Sequence, residues 1–328
     1  MMKKMPRWSQ VLAGLQLIAV ALAAVPLVAQ AQAWPAKPVK YIMPFPPGGG
    51  SDISARIVAE AMSRSVGRPF LVENQAGANG NIGTQAAIRS APDGYTLLYT
   101  PQTPITIAES YEPPPPFDAQ RDLIPLVMTA VTPELVVVHP SIKVGSLKEL
   151  AAMTRADPGK YFFGSPGEGH EFHLTAAVIL LAVGAQMTHV PYKGMGPVVQ
   201  AIVGEQIHLA VSSVAGVKQF ISQGRLRPMT AVGMTRLEGY PSVPSVADNG
   251  LKEVTVYGWF GVFAPAGMPR ELVDRIAGAH VNLRNDAAYM QKMKELDFDP
   301  TPLGPAEFAR EIEAHRTQWK AVIKATRK

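Results

Sequence analysis

The feature that most constrains this chain is a regular alternation of short apolar runs with segments of helical period. Residues 39–45 predict a first strand, and residues 52–66 place apolar side chains at the three-to-four-residue spacing of a helix. The pattern continues with strands expected at 70–73 and 95–100 and a helix at 82–90. Strand–helix–strand repetition predicts an α/β fold with a parallel sheet and helices on its faces.

A second alternating set occupies the middle of the chain. Its predicted strands lie at 135–139, 161–163, 187–190, 207–211 and 229–232, with helices at 146–156, 170–183, 196–203 and 214–222. Residues 254–263 are apolar and aromatic and predict a strand that crosses back to the first set, followed by a helical tail. We therefore predict two α/β lobes with a cleft between them. Lobe I comprises 34–130 and 255–328, and lobe II comprises 131–254.

The N-terminus has the composition of a cleavable signal peptide, which predicts secretion to the periplasm. Three basic residues precede a largely apolar run at 11–28, and Ala-Gln-Ala at 31–33 supplies the small-x-small pattern for cleavage before Trp34. The alternative is a membrane anchor. Pro26 interrupts the run, which falls short of the ~20 continuous apolar residues of a stable span.

Composition narrows the class of protein further. Removal of residues 1–33 leaves 295 residues and lowers the formal net charge from +5 to +2, too mild a charge for a nucleic-acid-binding protein. There is no cysteine, so disulfides, thiolate metal sites and lipid anchoring through cysteine are excluded. Hydrophobic residues at 47% and charged residues at 17% exclude extensive disorder. We expect a freely diffusing monomer.

Two glycine-rich loops follow predicted strands and open predicted helices. Residues 44–52 read Pro-Phe-Pro-Pro-Gly-Gly-Gly-Ser-Asp, and residues 77–84 contain Asn81 and Thr84, which can form hydrogen bonds at the first turn of a helix. Glycines allow the backbone to approach a ligand, and a helix N-terminus presents unpaired N–H groups to anions. A tight turn without a ligand is the alternative. Because both loops leave the carboxyl ends of neighbouring strands, together they favour a carboxylate or phosphate site.

Five stretches also carry a family resemblance. They are PFPPGGGSD at 44–52, VENQAGANGNIGT at 72–84, APDGYTLL at 91–98, HVPYKG at 189–194 and GWFGVFAPAGMP at 258–269. In these stretches the chain resembles the substrate-binding proteins of tripartite tricarboxylate transporters, the Bug family. The resemblance implies a type II periplasmic binding protein, a two-lobed Venus flytrap with two crossover strands. It would capture a small carboxylate, such as a di- or tricarboxylate or an aromatic carboxylate, and dock transiently on membrane transporter subunits.

The resemblance also implies the residues that bind the ligand. The first loop contributes Phe45, Pro47, Gly48, Gly49, Gly50, Ser51 and Asp52, and the second contributes Asn81 and Thr84. The other lobe contributes Ser165, Gly167, Glu168, Tyr192, Lys193 and Ser212. Lys193 is either a partner of the ligand carboxylate or a solvated turn lysine.

Two departures from the family's pattern bear on the ligand. Members often carry an acidic residue near Ser212, whereas Ser212-Ser213 is neutral here, which disfavours an amino-acid ligand. Glu168 and His170 stand where small or apolar residues are common. They either contact a second polar group of the ligand or cap the following helix.

Other functions have weaker support in the sequence. A sensor that presents the same ligand to a signalling receptor would share the fold. A secreted hydrolase lacks Gly-x-Ser-x-Gly, because residue 163, before Gly164-Ser165, is Phe. His170 and His173 share a helix face, but HExxH is absent. We therefore expect no catalytic activity, no metal and no cofactor.

Overall fold

The computed structural model describes residues 34–111, 113–252, 254 and 257–326. The predicted signal peptide, residues 1–33, lies outside the described residues, as does most of 253–256. Among the described residues, no helix is both long and apolar enough to cross a membrane.

The described residues form two five-stranded sheets. Their strands are β1 (Val39–Met43), β2 (Phe70–Asn74), β3 (Thr96–Pro101), β4 (Leu123–Thr132), β5 (Glu134–Val138), β6 (Phe162–Ser165), β7 (Thr188–Pro191), β8 (Leu209–Ser213), β9 (Arg227–Val232) and β10 (Gly258–Pro265). The first sheet has the order β2-β1-β3-β10-β4, and the second has the order β7-β6-β8-β5-β9. The two sheets thus have the same pattern. In each, the strand at the fourth position, β10 or β5, is out of sequence order with the first three strands.

Each sheet is mixed, and this corrects the prediction of a parallel sheet. Strands β1, β2 and β3 are parallel, as are β6, β7 and β8. In contrast, β10 runs antiparallel to β3 and β4, and β5 runs antiparallel to β8 and β9. The antiparallel pairs arise because the chain crosses between the sheets and enters each one from the opposite direction.

The chain crosses between the sheets at two places. The first crossing is a single residue, Pro133, between β4 and β5, and the second leads into β10. The sequence predicted the second crossing but missed β4, the longest strand. Pro125 within β4 breaks the alternation that would have identified a strand.

In the described part of the chain, ten helices cover the faces of the sheets. They are α1 (Gly50–Val66), α2 (Asn81–Ile88), α3 (Ala119–Asp122), α4 (Leu147–Ala156), α5 (Glu171–Val183), α6 (Met195–Val203), α7 (Val214–Ser222), α8 (Arg270–Val281), α9 (Ala287–Glu295) and α10 (Pro305–Thr326). A π-helical turn (Thr103–Ile107) and 3-10 turns (Ala78–Gly80, Ala108–Ser110 and Asn282–Asn285) complete the described helical structure. Most of the sequence-predicted helices lie within two residues of these bounds.

Helix α10 belongs to the cores of both lobes. Phe308 and Ile312, in its first half, pack in the core around the first sheet. Trp319, Val322 and Ile323, in its second half, pack in the core around the second sheet. The predicted lobe boundaries at 130/131 and 254/255 stay predictions, and the tail contacts more than the first lobe.

Candidate functional site

A narrow cavity lies between the two sheets. Together with the solvent space at its mouth it encloses about 410 Å³, and residues from both lobes line it. The lining residues are Phe45, Pro46, Gly49, Gly50, Ser51, Pro101, Pro166, His170, Glu171, Phe172, Met195, Ser213 and Phe260. We call this the inner cavity. No lysine or arginine is among these lining residues.

Four helix N-termini converge on the inner cavity. Gly50 and Ser51 begin α1, Glu171 begins α5, Met195 begins α6 and Ser213 immediately precedes α7. The first N–H groups of a helix have no acceptor within the helix and carry a partial positive charge. At least one of these N–H groups already has an acceptor, since the N–H of Glu171 donates to Thr103 Oγ1 at 3.4 Å. At the start of α1, Gly49 and Gly50 have no side chains that would cover the backbone N–H groups.

Asp52 supports the first glycine-rich loop from behind and does not line the cavity. Its buried carboxylate accepts hydrogen bonds from the N–H of Gly48 (3.1 Å), from Asn74 Nδ2 (2.9 Å) and from the Arg56 guanidinium (3.0 and 3.1 Å). Although burial opposes it, these hydrogen bonds hold the pKa of Asp52 below its ordinary value. The Asn74 amide also donates to the carbonyl of Phe45 at 2.9 Å. The carboxylate thus fixes the loop that carries Gly49 and Gly50.

Ser165 has the corresponding supporting role in the other lobe. Its buried hydroxyl donates to the carbonyl of Gly167 (2.9 Å) and lies 2.7 Å from His189 Nε2. Burial, together with the neighbouring His173, lowers the pKa of His189 to about 4, so its ring is neutral near pH 7. The sequence had suggested no serine–histidine pair. This one is a structural contact, because Ser165 is fully buried.

A second, outer cavity adjoins the first. It has a volume of about 930 Å³, counted in the same way, and shares Phe45, Pro46 and Pro166 with the inner cavity. Tyr192 and Lys193 also line it. Phe45 therefore separates a narrow inner space from a wider outer one.

The structure divides the sequence-predicted site residues into three groups. Phe45, Gly49, Gly50 and Ser51 line the inner cavity. Gly167, Tyr192 and Lys193 line the outer cavity. The lining of neither cavity includes Pro47, Gly48, Asp52, Asn81, Thr84, Ser165, Glu168 or Ser212. The ligand-binding role of all these residues stays a prediction.

The two lobes contact each other around the cavities. The Asn79 amide donates to the carbonyl of Glu168. A Cβ placed on Gly50 would lie 2.4 Å from Ser213 Oγ, and one on Gly194 would lie 2.8 Å from Pro46 Cγ. These glycines allow the loops of the two lobes to meet without side chains between them.

His170 caps a helix and also lines the inner cavity. Its Nδ1 accepts a hydrogen bond from the N–H of Phe172 at 3.2 Å, which makes it the N-cap of α5. Burial lowers the pKa of His170 to about 3, so it supplies no positive charge near neutral pH. Glu168 is exposed on the same loop. Of the two predicted roles, His170 therefore fills the capping one.

Sequence reasoning missed several lining residues, above all Glu171. It is 2% exposed and lies close to Glu134, which is also 2% exposed. The sequence shows Glu171 only as an acidic residue at the start of a predicted helix. Acidic side chains at that position usually face solvent, so the sequence did not indicate that Glu171 lines a cavity. Phe260, on β10, also lines the inner cavity. Its neighbour Trp259 is fully buried in the core.

Among the described residues, no group of three His, Cys, Asp or Glu side chains is placed to hold a metal ion.

Comparison with known proteins identifies the class. The sequence model of the tripartite tricarboxylate transporter family receptor, TctC, matches residues 54–327. The chain is 32% identical to protein BugT of Bordetella pertussis (strain Tohama I) over 311 residues, which cover 94% of this chain and 95% of that protein. The chain therefore belongs to the tripartite tricarboxylate transporter receptor family, as its resemblance indicated.

Two solved structures agree with this assignment. The periplasmic binding protein BugD superposes with a TM-score of 0.84 at 27% identity, covering 89% of this chain and 98% of that one. A protein of R. palustris, solved with adipate, superposes with a TM-score of 0.86 at 27% identity and the same coverage. The predicted two-lobed α/β fold of a periplasmic binding protein is confirmed.

Proposed function

We propose that this protein captures a small carboxylate in the inner cavity and delivers it to a membrane transporter. The observation that supports this most directly is the convergence of four helix N-termini on one cavity between the lobes. Backbone N–H groups bind a carboxylate through charge-assisted hydrogen bonds, which are roughly twice as strong as neutral ones. The start of α1 is the proposed carboxylate site, with Asp52 and Asn74 keeping its loop in place.

The relatives support the same function. The R. palustris protein was solved with adipate, a dicarboxylate. We extend carboxylate binding to this chain, with secretion to the periplasm, cleavage of residues 1–33 and transient docking of a monomer on transporter subunits. We also propose that it catalyses no reaction. Ser165, the serine closest to a hydrolase motif, is fully buried, and its hydroxyl serves the loop.

A thermal-shift panel of carboxylates tests this function. The protein purified from a periplasmic extract would be melted with succinate, malate, citrate, adipate, benzoate and glycine betaine. A ligand at 100 times its dissociation constant adds about 2.7 kcal/mol to the free energy of unfolding. A clear rise in Tm with one class of carboxylate is the expected result, and no shift with any of them would contradict the proposal.

A deletion strain tests the role in transport. We expect loss of uptake of the carboxylate that the panel identifies, with recovery when the gene is restored. Normal uptake together with loss of a transcriptional response to the ligand would instead identify a sensor.

A further inference from the structure

Glu171, which lines the inner cavity, forms a buried acid pair with Glu134, and the carboxylate-binding function does not use this pair. Glu134 is the first residue of β5, and Glu171 is the first residue of α5. Burial raises the pKa of Glu171 to about 8. Burial and the neighbouring charge of Glu171 raise the pKa of Glu134 well above its ordinary value. The Oε2 atom of each side chain has no hydrogen-bond partner among the described residues.

The elements around this pair supply no free cation. Arg316, on α10, forms ion pairs with Glu109 at 3.0 Å and Glu313 at 2.9 Å. His315, on the same helix, has its Nδ1 2.9 Å from Gln102 Oε1, and burial lowers its pKa to about 4. His170, beside Glu171, is neutral. Two carboxyls buried together without a cation are costly to ionise.

The walls near Glu171 suit a cationic nitrogen. Phe45, Phe172 and Phe260 line the same cavity as Glu171. Aromatic rings attract ammonium groups through their negative faces, and a carboxylate adds a full opposite charge. Gly50 and Ser51, which line the same cavity at the start of α1, offer N–H groups for a carboxylate. The cavity thus combines sites for both charges.

We propose that the ligand is a small zwitterion, a carboxylate that also carries a protonated or quaternary nitrogen. Glu171, backed by Glu134, provides the counter-charge for that nitrogen. This inference rests on the carboxylate-binding function proposed above and specifies its substrate class. It also revises the expectation drawn from the neutral Ser212-Ser213. Glu134 pairs directly with Ser213 in the sheet, so the acidic charge comes from the neighbouring strand.

Binding has a proton balance that can be measured. In the free protein at pH 7 the pair holds its protons. When the nitrogen enters, one proton leaves the pair for solvent, and the carboxylate that forms pairs with the cation. A ligand without nitrogen releases no proton from this pair.

Isothermal calorimetry with matched ligands tests the inference. Glycine betaine and 3,3-dimethylbutyrate have the same shape and differ in the charge at the central atom. 4-Aminobutyrate and pentanoate form a second pair. We expect at least one zwitterion to bind about tenfold or more tightly than its partner. Repeating the titration at pH 7 in buffers of different ionisation enthalpy should give about one proton released.

The variant Glu171→Gln should abolish the difference within the matched pair while keeping the shape of the site. Glu271→Gln is the control, because Glu271 is an acid in the first turn of α8 that faces solvent. The control should retain the difference. Should Glu171→Gln fail to fold, the matched ligands and the proton release on the unchanged protein decide the question.

The outcomes separate the two proposals. If succinate, adipate or the nitrogen-free partners bind as well as the zwitterions without proton release, the inference is overturned and the carboxylate-binding function stands. If none of these compounds binds, both fall.

Discussion

At the scale of single residues, the two kinds of buried carboxyl behave in opposite ways. Asp52 is held by four hydrogen bonds and stays ionised, so it acts as a fixed support for the loop. The hydrogen bond between Glu171 and Gln102 leaves Oε2 without a partner and does not offset burial, so Glu171 takes up a proton on folding. The difference arises from burial, which weighs more heavily on Glu171, and from the larger number of donors around Asp52.

Glu171 should make the ligand-free protein less stable at high pH. Its pKa is 4.5 in an ordinary environment and about 8 in the folded protein, so the folded state binds the extra proton between these values. Its contribution is therefore complete below pH 4.5 and is lost as the pH rises towards 8, at about 1.4 kcal/mol for each pH unit. Glu171→Gln should match the original protein near pH 4.5 and exceed its stability near pH 8.

Thermal unfolding across pH 4–9 measures this effect. Glu271→Gln, which removes an exposed acid, should follow the original protein at every pH. A Glu171→Gln curve parallel to that of the original protein would mean that Glu171 is ionised when folded.

At the scale of elements, the site depends on how closely α1 and β8 approach each other. Gly50, on α1, faces Ser213, at the end of β8, with no room for a side chain between them. Gly49, one residue earlier, is less restricted, because a Cβ there would lie at an ordinary 3.6 Å from Met195 Cβ. The two neighbouring glycines thus differ in whether a side chain would fit at their position.

Gly50→Ala should weaken ligand binding by about tenfold or more, because overpacking at such a contact costs about 1–3 kcal/mol. Calorimetry with whichever carboxylate the panel identifies measures the change. Gly278→Ala is the control, because an added Cβ there meets nothing within 4 Å and the residue lies on α8, away from the cavity lining, so affinity should change by less than about threefold. Adding Ser213→Gly to Gly50→Ala should restore binding. Full affinity in Gly50→Ala alone would mean that the ligand-bound lobes do not approach as closely as in this structure.

The sequence predicted most of these elements because their signals are local. The glycine-rich loop at 44–52 and the capping residue Ser146, whose Oγ accepts from the N–H of Glu149 at 3.2 Å, depend on neighbours in the chain. The sequence could not predict the antiparallel pairing of β10, since that depends on where the chain crosses between lobes. For the same reason it missed the acid pair, which joins residues 37 positions apart.

At the scale of the whole molecule, α10 joins two cores that the sheets alone would leave separate. It contacts β4 in one lobe and α5 in the other. Gln102 reinforces the junction, since its Oε1 accepts from Trp319 Nε1 at 2.9 Å and its Nε2 donates to the carbonyl of Tyr257 at 3.0 Å. The two lobes should therefore unfold together.

Trp319→Ala should lower the free energy of unfolding by about 3–5 kcal/mol, because it removes a fully buried ring. Hydrogen exchange should then speed up in peptides of both sheets. Leu150→Ala is the control, since Leu150 is buried in the second core alone, and it should affect mainly the second sheet. Faster exchange confined to the second sheet in both variants would mean that α10 does not couple the lobes.

Because α10 packs in the cores of both lobes, it also limits how far the two lobes can move apart. A large opening of the lobes would pull Phe308 or Trp319 out of its core. We therefore expect only a small rotation of the lobes about α10. The release of a bound molecule should then be slow, and the membrane partner proposed above would have to accelerate it.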